Sequence, residues 1–292
     1  MHELTLPVRT PFDFTRSLSF TCSFRPTAGE QHVDQGRLTK AFAIDGRAIV
    51  AEIAETTHDD RLTCTLRSDR PIDDELARTA IDRVRFHLSL DDELAPFYAL
   101  GRSDPAYAPL IEALHGQHHV KFASVFEIAC WAVLGQRTPM ASARKTKDAI
   151  VARFGPKLTL GDRVYPAFPE AAAIVEAGDA LSEVVRDRRR ADAINAIARA
   201  LLEVDDAFLR TAPFAEVEEF FTALPRIGPW SSAFILFRGL GRMERLTLRG
   251  GPIADCARRV YGESTSDRDV IRIADRYGAW CGYWSLYLRI AA

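Results

Sequence analysis

The feature that most constrains the fold is a very short connection between two helical segments in the carboxyl-terminal half of the chain. Residues 214–224 place their apolar side chains on one helical stripe. Residues 229–240 do the same, and their stripe comprises Trp230, Ala233, Phe234, Phe237 and Leu240. Only Pro-Arg-Ile-Gly, residues 225–228, separates the two segments, and Pro229 suits the first position of the second helix. The sequence therefore predicts a helical hairpin.

The start of the second helix of this hairpin offers a surface for an anion. Its free backbone N–H groups and the positive end of its dipole face outward, which suits a DNA phosphate. The surrounding segment 224–262 is also basic, since only Glu244 and Asp255 oppose seven arginines: Arg226, Arg238, Arg242, Arg245, Arg249, Arg258 and Arg259. On a chain of net charge −2, such a local patch indicates a partner engaged by one face. A solvated charged surface is the alternative interpretation.

The first part of the chain has the periodicity of a β-rich domain. Residues 18–24, 41–53 and 61–68 alternate in a way that predicts strands, and Asp45-Gly46 in the middle run predicts a hairpin turn. Residues 73–90 then change to helical spacing. We predict an α+β domain over residues 1–95, with an antiparallel sheet and a helix.

From about residue 105 onward nearly every segment has helical periodicity. Residues 124–135 and 190–203 predict helices, and residues 138–155 predict a helix with Thr138 as its N-cap, Pro139 at its first position and an end at Gly155. The second domain, over residues 96–292, is therefore expected to be all-helical, and the protein mostly α.

Composition and residue spacing argue against several other classes of protein. The five cysteines show no Cys-x-x-Cys spacing, which argues against a disulfide framework, a structural zinc or an iron–sulfur cluster. The pair His118-His119 is expected at the surface. No run approaches the roughly 20 apolar residues of a membrane span, and residues 1–10 contain no apolar signal core, so we expect a cytoplasmic protein without membrane contact.

The hairpin and its flanks resemble a known family. The pattern Leu-Pro-x-Ile-Gly-x-Trp-Ser-Ser-Ala, followed by Phe-Arg-Gly-Leu-Gly, resembles the helix-hairpin-helix (HhH-GPD) DNA glycosylases, most of all the DNA-3-methyladenine glycosylase II, or AlkA, type. Residues 126–146 are similar to the segment that inserts a residue into DNA, and residues 275–290 to the closing aromatic helix. The resemblance implies a β-sheet amino-terminal domain followed by an all-helical glycosylase fold.

The resemblance also implies a function in base-excision repair. A glycosylase of this type flips an alkylated purine, such as 3-methyladenine or 7-methylguanine, out of the duplex into a pocket and cleaves its N-glycosidic bond. A cationic base suits an aromatic pocket, and the positions expected to line it are Trp230, Phe234, Trp280 and Tyr283. Gln136 and Arg137 would probe the base stack, where the family usually has an apolar wedge.

The expected partner is double-stranded DNA containing alkylated bases, with no obligate protein partner, and the protein would associate with the nucleoid. Pro225, Arg226, Ile227 and Gly228 would clamp a phosphate, and Arg249 is also expected to bind DNA. The family adds the option of a monovalent cation held by carbonyl groups of the hairpin. It implies no other metal and no cofactor.

The family's catalytic aspartate is missing at the matching position. That position falls on Gly250, and Arg249 beside it has the wrong sign of charge to support a cation developing on the sugar. Asp255 is the nearest downstream carboxylate and a candidate substitute, although an N-cap or a salt bridge with Arg258 or Arg259 is also consistent with its position. A lyase-type mechanism is not expected, because residues 230–251 contain no lysine.

Four hypotheses remain open from the sequence. In the first, the protein is a monofunctional N-glycosylase with reduced activity on labile cationic lesions. In the second, it is a glycosylase in which Asp255 replaces the aspartate. In the third, it is an inactive protein that binds lesion-bearing or plain duplex DNA, and in the fourth it binds DNA only as a non-specific architectural protein.

Overall fold

The amino-terminal part of the protein is a five-stranded antiparallel sheet with two helices. The structure is a computed structural model that describes residues 2–27, 29–56, 60–246 and 251–291. The strands lie in the spatial order β1-β5-β4-β3-β2. They are β1 (His2–Pro7), β2 (Gln31–Asp34), β3 (Arg37–Ile44), β4 (Arg47–Glu55) and β5 (Arg61–Arg67), and the helices are α1 (Phe14–Ser23) and α2 (Asp74–Leu88).

The central hairpin of the sheet confirms the turn predicted at Asp45-Gly46. Ile44 pairs with Arg47 across a two-residue turn, and both turn residues have positive φ, 52° at Asp45 and 69° at Gly46. The helix α2 begins after the N-cap Asp73, whose side chain accepts a hydrogen bond from the N–H of Leu76. Its apolar face packs on the sheet and closes the core of this domain.

The strand predicted over residues 18–24 is wrong, because this segment belongs to α1. The side chain of Asp13 caps the helix by accepting from the N–H of Arg16 at 3.1 Å. The buried positions of α1, Phe14, Ser17, Leu18 and Thr21, follow helical rather than strand periodicity. The first strand is β1 instead, which pairs with β5 from His2 opposite Leu66 to Pro7 opposite Arg61.

The rest of the described chain is predominantly helical, as predicted. Its helices are α3 (Ala95–Arg102), α4 (Ala108–Ala113), α5 (Val125–Leu134), α6 (Met140–Phe154), α7 (Ala171–Ala177), α8 (Ala180–Val185), α9 (Arg188–Glu203), α10 (Asp206–Thr211), α11 (Phe214–Thr222), α12 (Pro229–Ile235), α13 (Gly251–Tyr261), α14 (Asp267–Arg276) and α15 (Cys281–Ile290). A five-residue π-helical turn, Leu236–Leu240, continues α12. Among the described residues, no helix is long and apolar enough to span a membrane.

Two local predictions for the helical part are wrong. The strands β6 (Lys157–Leu160) and β7 (Arg163–Pro166) form a hairpin that packs on β3 and β4, and this hairpin was not predicted. Pro139, not Thr138, is the N-cap of α6, because the hydroxyl of Thr138 donates to the carbonyl of Gln136 instead. The boundary at residues 95 and 96 stays a prediction.

A buried ion cluster ties the sheet domain to the helical domain. Lys147 of α6 is fully buried, and its Nζ lies 2.6 Å from Glu127 of α5 and 2.5 Å from Glu30, which precedes β2. The same ammonium group donates to the carbonyl of Pro26 at 3.3 Å. Removing one member of such a cluster leaves an uncompensated charge away from water, which costs far more than losing a surface pair.

The pair His118-His119 is buried, so the prediction that it lies on the surface is wrong. The two residues are each 1% exposed, and the ring of His118 is held by the carbonyls of Ser89 and Pro11 at 2.7 and 3.0 Å. His87 is also buried, and burial lowers its pKa to about 3. Burial likewise lowers the pKa of His119 well below its usual value. Both rings are therefore neutral in the folded protein at physiological pH.

We predict that Lys147→Met lowers the free energy of unfolding by about 3–5 kcal/mol, because Glu127 and Glu30 lose their shared counter-ion. Urea denaturation followed by circular dichroism measures the change. The control is Arg188→Met, which removes two exposed pairs, with Asp179 and Asp192, and should cost less than about 1 kcal/mol. A Lys147→Met variant within 1 kcal/mol of wild type would contradict the importance of the cluster.

We also predict that acid destabilises the protein through His87 and His119. Because their folded pKa values are depressed, the unfolded state takes up two more protons below its pKa of about 6.5, and stability falls as pH falls. Together they contribute a slope of about 2.7 kcal/mol per pH unit between about pH 6 and pH 5. The variant His87→Leu should remove half of that slope in urea titrations, and an unchanged slope would refute the assignment.

Candidate nucleic-acid interface and interdomain cleft

The predicted helical hairpin is present and exposes its turn. The helix α11 ends at Thr222, and α12 begins at Pro229 after the N-cap Gly228. Ile227 anchors the turn, because its side chain is buried and its N–H donates to the carbonyl of Leu224 at 3.1 Å. Pro225, Arg226 and Gly228 are exposed. The turn therefore presents its backbone to solvent at the beginning of α12.

Arg226 has a backbone conformation that favours glycine. Its φ is 63°, in the left-handed region. A residue with a side chain adopts this conformation at a cost of about 1–2 kcal/mol. The turn thus carries an exposed guanidinium at a position where the backbone is strained.

The loop predicted to probe the base stack is hydrogen-bonded to the hairpin. The side-chain amide of Gln136 donates to the carbonyl of Arg226 at 2.6 Å and to the hydroxyl of Ser231 at 3.3 Å. Arg190 of α9 holds the loop from the other side, donating to the carbonyl of Gln136 at 2.8 Å. Arg137, at the tip, is exposed and has a φ of 51°. The structure therefore brings the two predicted DNA-contacting segments together.

An aromatic pair lies directly beside this junction. The rings of Trp230 and Phe234 stack with centroids 5.4 Å apart and an interplanar angle of 6°. Trp230 is 63% exposed, at the beginning of α12. Phe234 is half-buried, with its ring edge-on to Phe122. The pair is an accessible stacking platform at the edge of the hairpin.

The other two predicted pocket aromatics lie in a different cluster. Trp280 is half-buried and packs against Phe97 and Tyr283. Tyr283 is fully buried, and its hydroxyl donates to the carboxylate of Asp92. Among the ring contacts of the described residues, none joins this cluster to Trp230 or Phe234. Tyr283 therefore has the surroundings of a core residue, and a pocket role for Trp280 stays a prediction.

A cleft of about 800 Å³ opens between the two domains on the inner side of Phe234. Its walls come from α1, from the end of α12 with its π-helical turn, and from α15. The lining residues are Asp13, Thr15, Arg16, Ser19, Phe20, Ser23, Phe24, Leu114, Gln117, Phe234, Phe237, Arg238, Leu286, Arg289 and Ile290. The sequence does not predict most of this site, because its periodicity indicates a strand where α1 lies and its charge pattern places Arg238 in a surface patch.

Arg238 is a buried cation in the wall of this cleft. It is 6% exposed, and its guanidinium carbon lies 4.6 Å from the ring centre of Phe20 and 4.4 Å from that of Phe24. Its Nε and Nη2 make no hydrogen bond with any residue that the structure describes. Burial, and then the neighbouring charge of Arg289, lowers the pKa of Arg238 to about 9. The guanidinium is thus charged at neutral pH, and no described residue is bonded to its Nε or Nη2.

The predicted basic patch does not form one free surface. Besides the buried Arg238, Arg242 pairs with Glu244 at 2.6 Å, and Arg258 pairs with Asp255 and Asp267 at 2.9 and 2.8 Å. Arg226 remains exposed on the hairpin.

Of the two candidate catalytic positions, Gly250 and Asp255, the structure describes only Asp255. Gly250 and its neighbour Arg249 lie outside the described residues. Asp255 lies in the second turn of α13, so it is not an N-cap, and its carboxylate is about two-thirds exposed and paired with Arg258. Its role as a substitute acid stays a prediction.

The chain is similar to curated DNA repair proteins along most of its length. No family model matches it. It is 24% identical over 268 residues to a DNA-3-methyladenine glycosylase of Bacillus subtilis, covering 88% of this chain and 86% of the relative. It is 28% identical over 242 residues to a probable bifunctional transcriptional activator/DNA repair enzyme AlkA of Mycobacterium tuberculosis. That match covers 82% of this chain and 47% of the relative, so the chain spans about half of the mycobacterial protein.

A solved structure has the same fold from end to end. The 3-methyladenine DNA glycosylase of Archaeoglobus fulgidus superimposes with a TM-score of 0.75 at 23% identity, covering 99% of this chain and 98% of that one. The shared architecture includes both the amino-terminal sheet domain and the helical domain with its hairpin. The chain therefore has the fold of the AlkA-type helix-hairpin-helix DNA glycosylases.

Proposed function

We propose that this protein recognises a damaged purine in double-stranded DNA and draws it out of the helix into the interdomain cleft for base excision. The observation that carries the proposal is that three structural features lie next to one another. The hairpin turn is locked to the loop of Gln136 and Arg137, Trp230 stacks beside this junction, and Phe234 connects that stack to the cleft. The cleft volume lies in the range of sites that enclose small organic groups.

In the proposed mechanism, the hairpin turn, Arg137 and Trp230 each contribute to a different step of base flipping. Extruding a base costs a few kcal/mol of stacking and pairing, and less at a damaged pair. The hairpin turn would hold a backbone phosphate, and Arg137 would fill the vacated space, where a guanidinium can stack on bases. Stacking of a base on an exposed aromatic ring returns about 1–3 kcal/mol. Trp230 is the exposed ring in position to supply it.

The reaction proposed is hydrolysis of the N-glycosidic bond of an alkylated purine such as 3-methyladenine or 7-methylguanine. Water attacks the anomeric carbon and gives up a proton to solvent, while the bond to the base nitrogen breaks and its electrons leave with the base, which neutralises the positive charge of the base. With Gly250 at the position of the family's aspartate, the developing cation lacks one electrostatic stabiliser. A loss of about 3–4 kcal/mol, or a hundred- to a thousandfold in rate, is typical. We therefore expect weak activity.

A second candidate function is binding of lesion-bearing duplex DNA without excision. It is favoured by Gly250 and by the ion pair of Asp255 with Arg258, which leaves the nearest downstream carboxylate engaged. The parts that bind DNA do not depend on this carboxylate. In either case the proposed partner is damaged double-stranded DNA in the cytoplasm, associated with the nucleoid. A purely architectural protein would instead show no preference for lesions.

We predict that Gly250→Asp raises the release of 3-methyladenine and 7-methylguanine from methylated duplex DNA by about a hundred- to a thousandfold, since it restores one stabilising charge. Chromatography of the released bases measures the rate. Wild type should release them slowly or not at all, and Asp255→Asn should match wild type. Loss of wild-type activity in Asp255→Asn would make Asp255 the catalytic acid. Failure of Gly250→Asp to gain activity would argue against a competent glycosylase scaffold.

We predict that Trp230→Ala weakens binding to a duplex with an abasic-site analogue or a lesion by about tenfold or more, because it removes the stacking platform. Fluorescence anisotropy with a labelled duplex measures the affinity. The matched control is Ile271→Ala, another exposed apolar residue, on α14. Trp280→Ala tests the remaining predicted pocket tryptophan, which should affect the melting temperature more than affinity. Equal affinities for wild type and Trp230→Ala would remove the central support for base flipping.

A further inference from the structure

Hydrogen bonds on both sides of Arg137 hold the tip of the loop between α5 and α6. One guanidinium nitrogen of Arg190, Nη2, donates at 2.8 Å to the carbonyl of Gln136 and at 2.8 Å to the hydroxyl of Thr138. That hydroxyl donates in turn to the same Gln136 carbonyl at 3.0 Å. The three groups form a closed triangle, and Arg137 lies between the two bonded residues of the loop with its side chain exposed.

Arg137 needs this support, because its φ of 51° lies in the left-handed region. A residue with a side chain rarely occupies that region unless its surroundings stabilise it. Hydrogen bonds from a charged donor are stronger than those between neutral groups, and Arg190 supplies two of them. Arg190 is itself held by Asp187, the N-cap of α9, which accepts from its backbone N–H at 3.1 Å and lies 3.4 Å from its Nε. The tip of the loop is therefore anchored to α9, which packs on α5.

The side chain of Gln136 extends the same network to the hairpin turn. Its Nε2 carries two hydrogens and donates to the carbonyl of Arg226 at 2.6 Å and to the hydroxyl of Ser231 at 3.3 Å. Ser231 is buried in the first turn of α12, so this end of the connection is part of the packed hairpin. Because both amide hydrogens are engaged inside the protein, this side chain is suited to hold the loop rather than to enter the base stack.

We infer that Arg190 and Gln136 are positioning residues, which fix the point where Arg137 enters the duplex relative to the phosphate that the hairpin turn holds. The inference rests on the proposed function and names the residues that align its two DNA contacts. Arg190 holds the backbone of the tip, and Gln136 ties the tip to the turn. A side chain that is already in place loses less entropy when it fills the vacated space. In this role neither Arg190 nor Gln136 touches DNA.

A double-mutant cycle on a labelled duplex with an abasic-site analogue tests whether Arg190 acts through Arg137. We expect Arg137→Ala and Arg190→Met each to weaken binding about tenfold, because each removes an ordered side chain from the vacated space. The variant with both changes should match Arg137→Ala within about twofold, since Arg190 then has nothing left to position. Gln136→Met, which unties the tip from the turn, should behave like Arg190→Met in the same cycle.

The fluorescence of 2-aminopurine placed beside the abasic site gives a readout that a loss of stability alone does not change. Stacking quenches this base, so we expect saturating wild-type protein to raise its emission as Arg137 separates it from its neighbour. Arg190→Met should lose most of that rise even at saturation. Arg190→Lys keeps the charge but loses the planar donor fork, so it should recover only part of the rise.

The control is Arg188→Met, which removes an arginine of the same helix that pairs with Asp179 and Asp192 instead of the loop. It should leave the affinity within about twofold of wild type and the emission unchanged. Melting temperatures establish that the variants are folded. If Arg190→Met does not fold, Thr138→Val takes its place, because it removes one corner of the triangle without changing the charge.

The outcomes separate this inference from the function on which it rests. If wild type binds abasic and undamaged duplexes equally, base recognition fails and the proposed function with it. If wild type prefers the abasic duplex and only Arg137→Ala abolishes the preference, the proposed function stands and the positioning role is wrong. If the losses from Arg137→Ala and Arg190→Met add in the double variant, Arg190 acts independently and the inference is overturned. The same holds if Arg190→Met weakens binding to undamaged duplex equally and lowers its salt dependence, which would indicate a direct phosphate contact.

Discussion

The guanidinium of Arg238, stacked against Phe20 and Phe24, joins the amino-terminal domain to the helix that follows the hairpin turn. Much else depends on this contact. The contact lies in the wall of the cleft, which α1 and α15 line together. It also places a guanidinium in this wall whose Nε and Nη2 are not bonded to any described residue. The π-helical turn at Leu236–Leu240 is the local distortion in which this residue lies.

The surface proposed to contact DNA is formed by the hairpin and by the loop of Gln136 and Arg137. Gln136 connects this loop to the hairpin, and Arg226 has a left-handed backbone. In the proposed function these residues contact DNA without using a carboxylate. Loss of catalytic rate would then leave the recognition of a damaged base intact. The two candidate functions differ in chemistry rather than in the way DNA is bound.

Sequence patterns were reliable where a few neighbouring residues decide the structure. The Asp45-Gly46 turn requires positive φ at both positions, and the hairpin of 225–228 is too short for anything but two adjacent helices. Sequence patterns failed where the burial of a residue depends on residues far away in the chain. Period-2 alternation over residues 18–24 suggested a strand, yet the cap at Asp13 and the packing of Phe14 and Leu18 make it a helix. His118 and His119 are predicted at the surface from the sequence, but both are buried in the structure.

The sequence by itself determined the resemblance to a glycosylase fold, the order of the sheet and helical parts, the hairpin and the glycine at position 250, because each is encoded in a short run of residues or in their spacing. The tertiary structure alone decided which aromatic rings share a site and which charges stay unpaired. Trp230 stands exposed while Tyr283 is buried, and Arg238 meets Phe20 from more than two hundred residues away. Burial and pairing depend on the packing of distant elements, and no local pattern in a chain specifies them.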